Sequence, residues 1–206
     1  MKGLIAGLMP LLARDEALFK FINSHHSGVF DAFFWGCSAF GSSWGIIPAL
    51  LVFILLSAGK SRVWTVISAA AVMLIGGAFL TSAVKQGVGR PRPAIYFEPP
   101  EAGTAAAGEV EPFTVHIVRP RLGDYYSFPS GHTWTAFAVA AFITLFFGRK
   151  YGWAFLAAAA IGYSRIYAGA HFPLDVLGGA FCGTLLAFLV WRVTAWITPR
   201  RARPRG

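Results

Sequence analysis

Charge is scarce in this sequence. Of its 206 residues only 13% are Asp, Glu, Lys or Arg, while 56% are hydrophobic and the mean hydropathy is +0.58. A soluble domain carries about 25% charged residues, so an ordinary soluble fold is excluded. Three long stretches hold no charge at all: Ala32 to Gly59, Val63 to Val84 and Tyr125 to Gly148. Cysteine is nearly absent too. Cys37 and Cys182 both lie in apolar stretches, and no CxxC or Cys/His metal spacing occurs. That argues against a disulfide framework or a zinc site and assigns both thiols to packing. No internal repeat and no low-complexity tract is present except an Arg-rich tail after Thr198, so residues 1–206 read as a single domain.

A membrane-spanning helix needs roughly 20 mainly apolar residues, and the uncharged stretches meet that need. The sequence predicts an all-α, polytopic transmembrane helical bundle of about five spans. They run from about Trp44 to Gly59, Val63 to Val84, Gly131 to Phe147, Trp153 to Ala168 and Pro173 to Ile197. Region 30–43 reads as a re-entrant or tilted helix, with Gly41 to Ser43 able to break it. Lys2 and the apolar run Leu4 to Ala13 look like a signal peptide but are too short to span. Residues 3 to about 26 are therefore expected as an amphipathic segment lying at the membrane interface.

The net charge of +9 would fit a nucleic-acid binder, but its placement does not. The excess sits in Lys60 and Arg62, in Arg149 and Lys150, and in the tail with Arg192, Arg200, Arg201, Arg203 and Arg205. Cations confined to short loops and a tail follow the positive-inside rule, which puts these segments, including tail 198–206, in the cytoplasm. The opposite face receives the N-terminal segment, the polar loop 85–127 and the Gly169–Phe172 turn. The reading excludes nucleic acid as partner, names the bilayer as one, and infers no obligate protein partner.

On that opposite face three clusters of polar residues meet, and polar or ionisable groups at membrane depth are usually functional or paired. The first runs from Lys85 through Arg90 to Arg92-Pro93. The second is Pro129-Ser130-Gly131-His132. The third runs from Ser164-Arg165 through His171 to Asp175. Lys85, Arg92 and Arg165 supply positive charge for phosphate oxygens, and arginine can do so bidentately. Ser130 is placed as an N-cap, and Gly131 lets an anion approach the helix N-terminus behind it. His171 precedes a helix whose first turn takes Pro173. Asp175, four residues on, is expected to hydrogen-bond one imidazole nitrogen and leave the other free to attack. His132 would protonate the leaving oxygen. The cations would stabilise the phosphoryl transition state, so the arrangement requires no metal and no cofactor.

In order and spacing these clusters resemble the signature of the type 2 phosphatidic acid phosphatase (PAP2) superfamily: KxxxxxxRP, PSGH and SRxxxxxHxxxD. The match spans roughly residues 85 to 175 without departure. The resemblance implies a membrane helical bundle, metal-independent hydrolysis and a phosphohistidine intermediate. It also implies that His171 is the nucleophile, Asp175 its partner and His132 the acid, with Lys85, Arg92, Ser130, Gly131 and Arg165 holding phosphate.

Other polar residues take plainer roles. Arg90, Arg119 and Arg121 are expected to contact headgroups or stabilise the loop. Glu98, Glu101, Glu109 and Glu111 form a solvated surface, and His25, His26 and His116 lack a metal pattern. Trp44, Trp134, Trp153, Trp191 and Trp196 suit an interfacial belt.

The expected substrate is a lipid phosphate whose headgroup lies at the outer surface of a bacterial cytoplasmic membrane, with the active site facing the periplasm. The segment Leu18 to His26 looks like the N-terminal region of small undecaprenyl-diphosphate phosphatases, which favours undecaprenyl diphosphate. Phosphatidylglycerophosphate, phosphatidic acid and lipid A 1-phosphate are the rivals. A phosphohistidine could also be intercepted by an alcohol, which would give a lipid phosphotransferase. Vanadate-dependent haloperoxidases share a similar constellation, but five apolar spans argue against a soluble protein. A pure lipid-binding protein or flippase has little use for an intact nucleophile and acid.

Overall fold

The computed structural model describes residues 2–98, 113–118 and 125–198. The basic tail from residue 199, Glu101, Glu109, Glu111, Arg119 and Arg121 lie outside the described residues. Eight α-helices occur among those described. They are α1 (Lys2–Ser24), α2 (Gly28–Phe40), α3 (Ser43–Ser57), α4 (Val63–Val88), α5 (Pro93–Tyr96), α6 (Gly131–Phe147), α7 (Ala154–Tyr167) and α8 (Pro173–Ile197). Among the described residues the one β-type contact is an isolated bridge between Pro91 and Tyr126.

Each of the five apolar segments expected to span is a helix. α4 and α8 are each long and apolar enough to cross a membrane, and α2 with α3 would make a third span if counted together. α6 is a shorter apolar helix of 17 residues. Region 30–43 forms α2, set at 59° to α3 across a short break. The break falls at Gly41, where an added Cβ would collide with Ile161 of α7. Absence of a side chain there lets the bend pack against the bundle.

α6 lies at the centre. Its buried residues include Thr133, Trp134, Ala136, Ala138 through Phe142, and Phe146, so the helix is covered on nearly every side. Small residues at these positions allow neighbours to approach closely. α8 uses that freedom: a Cβ on Gly179 would lie 2.6 Å from the Ser130 carbonyl oxygen, and one on Gly183 would overlap the Trp134 carbonyl. Trp134 is therefore a core residue, 5% exposed, and not part of the interfacial belt. Its indole lies against Gly77 of α4. Trp44, Trp153 and Trp196 are exposed, as a belt requires.

α1 carries a buried stripe at helical spacing, Asp15, Phe19 and Asn23. Phe19 enters an aromatic cluster with Phe97, Phe113 and Phe172. Asn23 donates to the carbonyls of His116 and Tyr167, each at 2.9 Å, and accepts the His116 N–H. The second half of α1, from Asp15 to Asn23, is thus docked onto the end of α7 and the start of α8.

Candidate active site

α4 runs one turn past its expected end at Val84, because Gly89 takes the left-handed conformation (φ 66°) and closes the helix by donating to the Lys85 carbonyl. This extra turn carries Lys85 into the protein, where its ammonium donates to the Tyr126 carbonyl at 3.2 Å. The chain then pairs with residues 125–127: Arg92 N–H donates to the Tyr125 carbonyl and Ser127 N–H to that of Arg90. Those bonds draw the first cluster beside the second. The second meets the third where Ser130 N–H donates to the Asp175 carbonyl at 3.0 Å. Arg92, itself buried, donates to the Ala170 carbonyl at 3.4 Å.

Lys85, Arg92, Gly131, His132, Arg165 and His171 line one cavity of about 370 Å³. No carboxylate is among its lining residues, which otherwise include Ser42, Ser43, Thr81, Ser82 and Thr135. A pocket with three cations, two imidazoles and a helix N-terminus is built for a polyanion such as phosphate. Ser42 and Ser43 of the α2–α3 bend and Thr81 and Ser82 of α4 escaped sequence reasoning, since they belong to no motif and meet the cavity only through the packing of the bend and α4.

Among the described residues five buried side-chain polar atoms have no hydrogen-bond partner, and two of them belong to residues lining the cavity: Nε of Arg165 and Nδ1 of His171. Buried donors are normally satisfied, so an orphan at a cavity wall points to a missing acceptor. The other edge of the Arg165 guanidinium donates to the Ser38 hydroxyl of α2.

Two expectations change in detail. Ser130 occupies the N-cap position of α6, but its hydroxyl accepts from Thr133 Oγ1 at 2.9 Å and does not cap the helix. It is fully buried behind the cavity wall. Asp175 Oδ2 stands 3.6 Å from His171 Nδ1, beyond hydrogen-bond range. The carboxylate is held elsewhere: Oδ2 accepts the Phe172 N–H at 2.8 Å, and Oδ1 accepts from Arg90 at 3.0 Å. Such contacts commonly tighten only when substrate is bound. His171 sits in the α7–α8 turn, 2% exposed. Burial pulls its imidazole down to about 4, and the nearby Asp175 carboxylate restores part of that loss.

Arg90 is the residue sequence reasoning placed only in part. It does fasten the loop after α4, as expected, but through charged partners on two distant helices. Its guanidinium bridges Asp15 of α1, at 2.6 Å, and Asp175 of α8, at 3.0 Å. It also lies over the Phe172 ring, 3.9 Å from the centroid. Asp15 in turn accepts the Leu174 N–H at 2.7 Å, capping the first turn of α8 from a distant helix. Removing one partner of a buried ion pair costs about 3–5 kcal/mol. The available signal was the helical spacing of Asp15 with Phe19 and Asn23, partly hidden by the charged neighbours Arg14 and Glu16.

His26 and His116 stack face to face at 3.8 Å, and His116 Nε2 lies 3.0 Å from Asp31 Oδ1. They fasten segment 113–118 to α1 and α2.

The family model described as the PAP2 superfamily matches residues 63–199. Undecaprenyl-diphosphatase BcrC of Bacillus subtilis is 37% identical over 109 residues, which are 51% of this chain and 50% of that protein. This stretch is about half the length of that relative. A lipid A 4'-phosphatase of Bacteroides thetaiotaomicron is 30% identical over 191 residues, covering 88% of this chain and 79% of the other. Among solved structures, that of Aquifex aeolicus LpxE superimposes with a TM-score of 0.62 at 30% identity, covering 85% of this chain and 93% of that one.

Proposed function

Because the chain belongs to the PAP2 superfamily, we propose that it is a metal-independent membrane lipid phosphatase, with undecaprenyl diphosphate as first candidate substrate. The observation that carries this reading is the single cavity in which both histidines face Lys85, Arg92 and Arg165. In the proposed reaction the Nε2 lone pair of His171 attacks phosphorus while the bond to the leaving lipid oxygen breaks. His132 gives that oxygen a proton, then takes one from the water that cleaves the phosphohistidine and releases phosphate. Asp175 balances the charge that appears on the phosphorylated imidazole. Lys85, Arg92, Arg165 and the amide at Gly131 stabilise the phosphoryl oxygens, while Ser130, whose own amide is bound to the Asp175 carbonyl, supports the start of α6 from behind.

The reading places α3, α4, α6, α7 and α8 across the membrane, α1 at its surface, and the cavity on the extracytoplasmic side. Arg62 supports it: the guanidinium donates to the Phe146 carbonyl at 3.1 Å, so the basic turns after α3 and α6 share one end of the bundle. The cavity lies at the other end, where loop 85–127 would meet the exterior and a headgroup.

A second substrate reading has its own support. The longest of the reported matches is to a lipid A 4'-phosphatase, across 88% of the chain. Phosphate release from undecaprenyl diphosphate, lipid A, phosphatidylglycerophosphate and phosphatidic acid, in one detergent with EDTA, separates the two. The polyprenyl diphosphate is expected to turn over fastest; negligible release from it, with lipid A consumed, would give the site to the second reading. Labelled phosphate recovered on another lipid instead of in water would make the enzyme a phosphotransferase.

The pH profile tests the nucleophile. Attack needs neutral His171, and its free-enzyme ionisation lies below the ordinary 6.5, at about 4. The acid limb of kcat/KM, which reports the free enzyme, is therefore expected well below pH 6.5. A limb at 6.5 or above would contradict a buried, neutral nucleophile.

A further inference from the structure

Asp175 is the partner that orients the nucleophile, yet it does not hold its place alone. Its two oxygens are fixed by Phe172 N–H and by Arg90, and Arg90 is fixed by Asp15. We propose that Asp15 and Arg90 are positioning residues of the active centre, acting on His171 through the Asp175 carboxylate. This rests on the phosphatase reading above. Neither residue is among those lining the phosphate cavity.

The geometry supports three separate actions. The Arg90 fork uses one terminal nitrogen for each carboxylate, at 3.0 Å and 2.6 Å, which sets the rotation of Asp175 about its side chain. The Phe172 ring beneath the guanidinium fixes the plane of that fork. Asp15 also accepts the Leu174 N–H, so the same side chain locates the turn of α8 from which Asp175 projects.

The charges matter as much as the geometry. Two carboxylates share one cation, leaving Asp175 enough negative charge to support a positive imidazole. Glu16 is engaged with the Tyr96 hydroxyl at 2.7 Å, and Lys20 lies over the Phe97 and Phe113 rings. Neither is placed to replace Asp15. Removing the Asp15 charge leaves Arg90 to draw wholly on Asp175, which weakens the support of a cationic imidazole. Removing the Arg90 charge does the opposite, because both carboxylates then act on His171 without a counter-ion.

The test is the titration of the His171 imidazole, followed by NMR of histidine-labelled protein in detergent, with His171→Ala identifying the resonance. Asp15→Asn is expected to move the titration to lower pH and Arg90→Gln to higher pH. Turnover on the preferred lipid should fall roughly 10- to 100-fold in both, the scale on which outer partners of a reactive group act. KM should stay near the wild-type value, since the cavity cations are untouched. Arg90→Lys keeps the charge but reaches one carboxylate at a time, and should recover part of kcat. It also serves if Arg90→Gln fails to fold.

Unchanged titration in both charge variants, with only the amount of folded protein reduced, would overturn the proposal. Shifts of the same sign would overturn the charge-sharing argument. The titration needs no turnover. Opposite shifts in a protein that hydrolyses none of the lipids would sink the phosphatase reading and leave the coupling intact.

Discussion

His171→Ala is expected to remove phosphate release almost completely, by roughly 10⁴- to 10⁶-fold, the scale on which loss of an attacking group acts. No neighbouring side chain can take over the attack. His132 starts a different helix and has the leaving group as its proposed partner, and Asp175 is fully buried and bound by Arg90 and the Phe172 amide. Those two bonds also keep the substitution from unfolding the protein. Asp175 stays paired when the imidazole is gone, so no unpaired charge is created. Lipid phosphate should still bind, because Lys85, Arg92 and Arg165 remain. Phosphate release, set beside helix content by circular dichroism, gives the result. Residual turnover above about 1% of wild type in folded protein would reject His171 as the nucleophile, because a nucleophile's loss costs far more.

Arg165→Ala has the next largest effect. The guanidinium spans the cavity wall, bonded on one edge to Ser38 and carrying at Nε a buried donor with no acceptor. A phosphoryl oxygen in the cavity would satisfy that donor, and more strongly as negative charge develops on it. Removing one such donor is worth about 10²- to 10³-fold in kcat. Arg165→Lys restores charge but not the planar fork, and should recover only part of the loss. Single-turnover kinetics on the preferred lipid would distinguish slowed chemistry from slowed release. Equal turnover in Arg165→Ala and wild type would show that the orphan donor faces no substrate atom.

The long-range order of the bundle was legible in the sequence because membrane depth leaves a simple mark. Long apolar stretches, three of them without charge, marked the five helices from α3 to α8 other than the short α5. The cavity was legible because phosphate chemistry demands cations and imidazoles that have no other reason to lie in apolar surroundings. What failed depends on side chains meeting across the fold. The extra turn of α4 rests on the left-handed Gly89, and Trp134 is buried because α8 offers glycine where it passes. Arg90 looked like any loop cation, since its partners lie on α1 and α8. Asp15 lies between Arg14 and Glu16, so nothing local set it apart as the buried carboxylate, and no motif named its partner.

The bond joining Asp15 to Leu174 connects regions near opposite ends of the chain, and that joining Arg90 to Asp175 links its middle to the last helix. Helices form from neighbours and can appear early, whereas contacts between distant segments are the slow part of assembly. A preparation with its full helical spectrum but with α1 still undocked would thus carry the cavity cations without a fixed His171. For this protein specific activity is the stricter measure of completed assembly, and loss of activity should precede loss of helix when the protein is stressed by heat or detergent.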